Sequence, residues 1–115
     1  MGIEATIEKA AREHIEAMGG RLIKFVSPGY KGVPDRLVCH PNTTPFLMEF
    51  KSPGCALRDD QVKTCAELAR AGMRIYAGDF RRGKWWGVNS IIMAQRIIDD
   101  EIEGFGESRY GVFSA

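Results

Sequence analysis

The sequence predicts an α/β domain in which a mixed sheet is flanked by helices. Apolar residues recur at helical spacing in the first twenty positions, short apolar strand-like runs follow, and a second helical pattern begins near residue 58. The predicted order is α-β-β-β-α-β with a further helix. At 115 residues, the chain is expected to form a single domain over 1–115.

The first helix is predicted over Ile3–Met18, where Ile, Ala and Met side chains lie three or four residues apart. The glycine pair Gly19-Gly20 is expected to end it. Glu4 and Glu8 lie one turn apart, so both are expected on the same face of this helix.

Three short strands are predicted next, because Val, Ile, Leu and Phe are concentrated between loops rich in Pro and Gly. Their predicted bounds are 21–26, 35–39 and 46–51. The second and third strands are expected to form a hairpin around a turn at Pro41–Pro45, and Ser27–Gly32 is predicted to be a loop.

The second half of the chain continues with a helix at Arg58–Ala71 and a strand at Met73–Gly78. Arg81–Lys84 is predicted to be a basic turn, after which Trp85–Val88 extends the strand or pairs back on it. A last helix is expected from residue 89 or 90 to about Asp100. If the strands on either side of the middle helix are parallel, that helix forms a right-handed crossover.

The net charge of +1 hides a segregation of charge along the chain. Residues 1–20 carry a net charge of −2, residues 21–84 of +6 and residues 85–115 of −3. The basic middle section is compatible with a polyanionic partner such as nucleic acid, and equally with a solvated surface.

Composition argues against several classes of protein. No apolar run approaches the roughly 20 residues of a membrane span, and the first residues do not resemble a signal peptide. The three cysteines include no Cys-x-x-Cys pair, which argues against a zinc ribbon and against a disulfide framework. We therefore expect a protein of the reducing cytoplasm that has no membrane partner.

The third predicted strand contains the residues most suggestive of chemistry. Glu49 and Lys51 point to the same side of the strand, roughly 7 Å apart, among apolar neighbours. Asp35 opens the hairpin partner, so it is expected near them. Two adjacent carboxylates repel each other, and Mg²⁺ or Mn²⁺ relieves that repulsion. The alternative is purely structural: an ion pair between Glu49 and Lys51, with Asp35 starting a turn.

The segments Gly32–Arg36 and Met48–Lys51, together with Gln61, resemble the PD-(D/E)XK nuclease superfamily. Within it, the pattern is similar to the virus-type replication-repair nuclease (VRR-NUC) domain. The resemblance extends from about Glu4 to Tyr76. It implies a restriction-endonuclease-like core.

The resemblance also implies roles for individual residues. Asp35 and Glu49 would be metal ligands together with the backbone carbonyl of Phe50, and Lys51 would be the catalytic lysine. Gln61 would hold the nucleophilic water or a neighbouring phosphate.

The helix-one glutamate of this family corresponds best to Glu8, with Glu4 as the alternative. A carboxylate there would orient water at the metal. Five further residues are expected around the site as contacts to the phosphates of nucleic acid. They are Lys24, Ser27, Tyr30, Lys31 and Arg36.

The implied activity is that of a Mg²⁺- or Mn²⁺-dependent endonuclease that needs no nucleotide cofactor. A small enzyme of this kind would cut branched DNA such as four-way (Holliday) junctions as a homodimer, because a twofold protein matches the twofold symmetry of the junction. The alternatives are a catalytically inert nucleic-acid-binding module and a phage structural or partner-binding protein. Segment 81–86 combines basic and aromatic residues, namely Arg81, Arg82, Lys84, Trp85 and Trp86. One interpretation is that the segment binds unpaired bases. The other is that its tryptophans pack in the core or at a subunit contact.

Overall fold

Three helices and two groups of three strands follow one another along the described part of the chain. The computed structural model describes residues 2–104 and residue 113. Its helices are α1 (Ile3–Ala17), α2 (Asp59–Arg70) and α3 (Ile91–Ile102). Its strands are β1 (Arg21–Lys24), β2 (Arg36–His40), β3 (Thr43–Met48), β4 (Ile75–Tyr76), β5 (Phe80–Arg81) and β6 (Lys84–Trp85).

The first four strands form one sheet in the spatial order β1-β2-β3-β4. The pairs β1/β2 and β2/β3 are antiparallel, whereas β3/β4 is parallel, so the predicted mixed sheet and hairpin are confirmed. Helix α2 makes the connection between the two parallel strands, as a parallel pair requires a long crossover. The remaining strands, β5 and β6, form a separate antiparallel hairpin.

Strand β3 differs from its predicted bounds at both ends. It starts at Thr43, so the predicted turn up to Pro45 was wrong, and the chain reverses within Pro41 and Asn42. The register shifts between Val38 and His40, so that Thr44 and Pro45 together lie opposite Cys39 and form a bulge in β3. Proline is tolerated there because a bulge residue need not donate to the ladder of hydrogen bonds.

The other bounds agree with the prediction to within a few residues. The first strand ends at Lys24 rather than Val26, although the N–H of Phe25 still donates to the carbonyl of Asp35 at 2.7 Å. Helix α1 ends where Gly19 adopts a positive φ of 89°, a conformation that glycine adopts without steric cost. Ser90 caps α3 by accepting a hydrogen bond from the N–H of Met93.

The sheet separates two apolar clusters. Val38, Phe46 and Met48 face α1 and α3, whereas Leu37 and Leu47 face α2. Alternate residues of a strand point to opposite faces, so both sides of β3 are buried. No helix within the described part of the chain is long and apolar enough to cross a membrane.

A buried carboxylate ties α3 to the sheet at the start of β3. The side chain of Glu101 is 1% exposed and accepts hydrogen bonds from the hydroxyls of Tyr76, at 2.6 Å, and Thr43, at 2.9 Å. Arg74 supplies the opposite charge. Each oxygen of this carboxylate is therefore satisfied, which burial of a charge requires.

Replacing Glu101 by alanine is expected to lower the free energy of unfolding by about 3–5 kcal/mol, because it leaves Arg74 and two hydroxyls without their acceptor. Urea unfolding measures the change. Glu103→Ala, at an exposed position two residues further on, is the control and should cost less than about 0.5 kcal/mol. Equal stability of the two variants would contradict the assigned role of the Glu101 network.

Candidate active site

A cavity of about 420 Å³ lies where strand β3 ends, between the start of α1 and the start of α2. Its walls are mostly charged and polar, unlike the two clusters of the core. The lining residues are Glu4, Glu8, Gly32, Val33, Asp35, Arg36, Glu49, Phe50, Lys51, Arg58 and Gln61.

Two carboxylates enter this cavity from neighbouring chain segments. The β2/β3 pairing places Arg36 opposite Met48, so continuing the register by one residue sets Asp35 opposite Glu49. Facing residues of antiparallel strands project to the same side. Glu49 is 8% exposed, whereas the side chain of Asp35 is 53% exposed, so one carboxylate is buried and the other borders solvent.

The backbone around Glu49 and Lys51 is held by two partners in succession. The N–H of Glu49 donates to the carbonyl of Tyr76 at 2.9 Å. Beyond this point Val88 takes the place of β4 as the hydrogen-bonding neighbour. Its N–H donates to the carbonyl of Glu49 at 2.8 Å, and its carbonyl accepts from the N–H of Lys51 at 3.2 Å. This explains why residues 49–51 continue like a strand beyond the end of β3, as the sequence predicts.

Gln61 connects the buried carboxylate to the first turn of α2. Its Nε2 donates to Oε1 of Glu49 at 3.0 Å, and its Oε1 accepts from the N–H of Arg58 at 2.9 Å. The second bond is half of a capping box. Gln61 therefore orients Glu49 and stabilises the start of the helix. The predicted contact of Gln61 with water or phosphate stays a prediction.

Arg36 lies among the carboxylates of the cavity. It forms ion pairs with Asp35 at 2.9 Å and with Glu8 at 3.4 Å, and Glu8 also pairs with Arg12 at 3.1 Å. Glu4 also lines the cavity, but it forms no salt bridge in the part of the chain that the structure describes. Both helix-one glutamates thus lie at the site, and the choice between them stays open.

The environment of Glu49 favours its neutral form. Burial raises the pKa of its carboxyl from 4.5 to about 7. The positive charge of Lys51 opposes this shift, whereas the negative charges of Asp35 and Glu4 add to it. In the absence of a cation, the site therefore contains a carboxylate that is costly to ionise.

The donor set fits a hard divalent cation. Within residues 2–104 and 113, no three His, Cys, Asp or Glu side chains are grouped as a metal-binding cluster. Mg²⁺, however, commonly takes only one or two carboxylates and fills its other positions with water and phosphate. Asp35 and Glu49 meet that requirement. Because Glu49 and Lys51 both bond to Val88, the carbonyl of Phe50 between them points away from Val88, and no backbone hydrogen bond to it is found among the described residues.

The remaining predicted phosphate contacts lie outside this cavity. Ser27 and Tyr30 line a neighbouring apolar groove, which shares Val33 with the cavity. The hydroxyl of Tyr30 donates to Glu67 at 2.7 Å, which holds the ring in place and raises the pKa of this phenol. Lys24 and Lys31 are exposed on the surface. Of the five predicted contacts, only Arg36 lines the cavity.

Sequence reasoning missed Arg58. This residue precedes α2, lines the cavity and forms an ion pair with Asp60 at 3.0 Å. Its charge also lowers the pKa of the Glu49 carboxyl. The sequence feature that could have indicated Arg58 is its position directly before Asp59-Asp60-Gln61, at the predicted start of the helix that contains Gln61.

No family model matches the chain, so its resemblance to VRR-NUC domains rests on the motif residues alone. One curated relative comes from Acyrthosiphon pisum secondary endosymbiont phage 1 and is named "Putative nuclease p44". The two sequences are 40% identical over 76 residues, which make up 66% of this chain and 82% of the phage protein.

Glu49→Gln is expected to stabilise the metal-free protein above pH 7 and to leave its stability unchanged below pH 4.5. Between these values the folded wild type binds a proton that the unfolded chain has lost, so wild-type stability falls as the pH rises. The difference at pH 8 is on the order of 3 kcal/mol.

Urea unfolding in EDTA between pH 4 and pH 8 measures this difference. Glu16→Gln, which neutralises an exposed glutamate of α1, is the matched control and should follow the wild type. A Glu49→Gln curve parallel to that of the wild type would show that Glu49 is ionised in the fold without cost.

Proposed function

The chain belongs to the same family as this phage protein, and we propose that it is a nuclease that hydrolyses phosphodiester bonds in DNA with Mg²⁺ or Mn²⁺. One observation carries the proposal: Asp35, Glu49 and Lys51 line a single polar cavity. We assign the chain, as one domain over 1–115, to the VRR-NUC branch of the PD-(D/E)XK superfamily, whose motif these residues match.

Asp35, Glu49 and the Phe50 carbonyl would hold the divalent ion. When bound, the ion supplies Lewis-acid stabilisation of the charge that develops on the phosphate. Burial and the negative charge of Asp35 both raise the pKa of the Glu49 carboxyl. A bound cation would offset both effects, so the free site would favour cation binding. Gln61 is a positioning residue in this mechanism, because its amide fixes the orientation of Glu49.

Lys51 is the proposed catalytic base or charge-stabilising group. It enters the cavity on the same side as Glu49, two residues further along the chain. From there its amino group would orient or deprotonate the attacking water, or neutralise the pentacovalent transition state. Arg36 and Arg58 line the same cavity and would bind the phosphate groups on either side of the scissile bond.

Branched DNA, such as a four-way junction, is the proposed substrate, and a homodimer the proposed enzyme. A twofold dimer would present two cavities to the two symmetric cleavage points of a junction. An apolar groove between the start of α1 and the start of α3 supports dimer formation. Its residues include Ile3, Ile91 and Ile92, which are 61%, 39% and 70% exposed.

The proposed location is the cytoplasm of a bacterial cell or of a phage-infected host. Three cysteines support this proposal, since Cys39, Cys55 and Cys65 are all free thiols. Free thiols persist in reducing compartments. DNA of a phage or its host is available there.

Asp35→Asn is expected to slow cleavage of a labelled four-way junction by at least about 100-fold, because it removes a ligand charge from the site. Single-turnover assays with Mg²⁺, Mn²⁺ and EDTA measure the rate. Asp59→Asn is the matched control, since Asp59 is exposed and does not line the cavity. An inert binding module would give no metal-dependent cleavage by the wild type, which would overturn the nuclease proposal.

The wild type is expected to sediment as a dimer at micromolar concentration, and Ile92→Asp as a monomer. The reason is that a charge at Ile92 would have to be buried in the dimer contact. Val26→Asp, at a 67% exposed valine elsewhere, should leave the dimer intact. A monomeric wild type, or a junction nicked without symmetry, would refute the resolvase model and leave the general nuclease proposal standing.

A further inference from the structure

The β5–β6 hairpin turns at Arg82 and Gly83, where the backbone φ angles are 55° and 74°. Two successive positive φ values are typical of a type I′ turn, which fits the twist of a two-residue hairpin. The favoured residues at the first of these positions are Asn, Asp and Gly. The chain instead has an arginine there.

Arg82 is the only non-glycine residue with a positive φ in the part of the chain that the structure describes. This conformation costs free energy for an L residue with a long side chain. No salt bridge within residues 2–104 or 113 involves the Arg82 guanidinium, so the fold gains no ion pair that would offset this cost. No salt bridge among the described residues therefore explains an arginine at the tip of the hairpin.

Two further cations share the hairpin. Arg81 and Lys84 are exposed on either side of the turn, and neither belongs to a salt bridge among the described residues. The arginines of the site and the core differ in this respect, since each has a carboxylate partner. These are Arg12, Arg36, Arg58 and Arg74.

The two tryptophans of the hairpin pack against the protein instead of projecting into solvent. Trp85 packs against Phe80 and Phe113, with ring centroids 5.2 Å and 4.5 Å away. The indole N–H of Trp86 donates to the carbonyl of Arg81 at 3.0 Å, and the Arg81 guanidinium lies 5.7 Å from the centre of that ring. The cations are thus presented on a fixed support.

The base of the hairpin adjoins the candidate active site. The N–H of Gly87 donates to the carbonyl of Ala77 at 2.8 Å, and a Cβ at Gly87 would lie 2.6 Å from Cβ of Lys51. From Gly87 to Arg82 the strand spans at most about 16 Å. Phosphates of one DNA strand advance by about 3.4 Å per nucleotide along the helix axis, so this reach corresponds to at most about five nucleotides.

We propose that the β5–β6 hairpin is a phosphate-binding arm, whose three cations contact the DNA backbone within about five nucleotides of the bond positioned at Lys51. The inference rests on the proposed nuclease function and adds a second contact surface to it. The arm positions the strand by charge, and its tryptophans serve to hold the arm in place.

The first test measures the salt dependence of DNA binding. Fluorescence anisotropy of a labelled four-way junction is recorded in EDTA, over a range of NaCl concentrations. The variant combines Arg81→Gln, Arg82→Gln and Lys84→Gln. Each lost phosphate contact removes about 0.9 from the slope of log Kd against log salt, so the slope should fall by about 2–3.

The matched control removes three exposed cations elsewhere, by Lys9→Gln, Arg70→Gln and Arg96→Gln. It changes the net charge equally and should leave the slope within about 1 of the wild type. Equal slopes for the two triple variants would overturn the proposal that the β5–β6 hairpin is a phosphate-binding arm.

The second test uses Arg82→Asn, which places a favoured residue in the turn. We expect a higher melting temperature together with weaker junction binding and a slope reduced by about 1. A purely structural role would not produce these opposite changes. A raised melting temperature with unchanged binding would show that Arg82 does not contact DNA.

The two failures are distinguishable. If the wild type binds no DNA at any salt concentration, the nuclease proposal fails and the arm fails with it. If the wild type binds and cleaves while the hairpin variants bind like the wild type, only the arm is wrong.

Discussion

The removal of one carboxylate from water constrains the whole candidate site. Glu49 directly follows β3, which is an inner strand of the sheet, and it is buried although it lines the cavity. Burial favours the protonated form, so ionised Glu49 requires compensation from its surroundings. Gln61 supplies a hydrogen bond and Lys51 a positive charge, and a cation shared with Asp35 would complete the compensation.

The two ends of β3 deal with a buried glutamate in opposite ways. At the start of the strand, Glu101 receives hydrogen bonds from Thr43 and Tyr76 and an ion pair from Arg74, so its charge is satisfied by the fold. At the other end, Glu49 faces further negative charges across an open cavity. The first arrangement stabilises the fold, whereas the second retains an electrostatic cost that a ligand can relieve.

A similar contrast separates the arginines near the cavity, which have carboxylate partners, from the cations of the β5–β6 hairpin. The arginines near the cavity form ion pairs with carboxylates of the fold. The cations of the hairpin are exposed and carried by a turn whose backbone suits asparagine or glycine better than Arg82. Positions where local preference and sequence disagree are those where function is expected to outweigh stability.

The sequence by itself determined the order of elements from α1 to β4, the pairing of β2 with β3 and the candidate residues on the third strand, because these follow from local periodicity and from neighbours in the chain. It did not predict β5 and β6, whose pairing places Arg81 and Lys84 in strands rather than in a turn. It misjudged the start of β3 at Thr43, because the bulge that accommodates Pro45 depends on the register of another strand. Only the tertiary structure revealed that Val88 supports Glu49, that Arg58 borders the cavity and that Gln61 binds a carboxylate. The bonds of Val88 and Gln61 to Glu49 join separate segments of the chain, and no local pattern encodes such contacts.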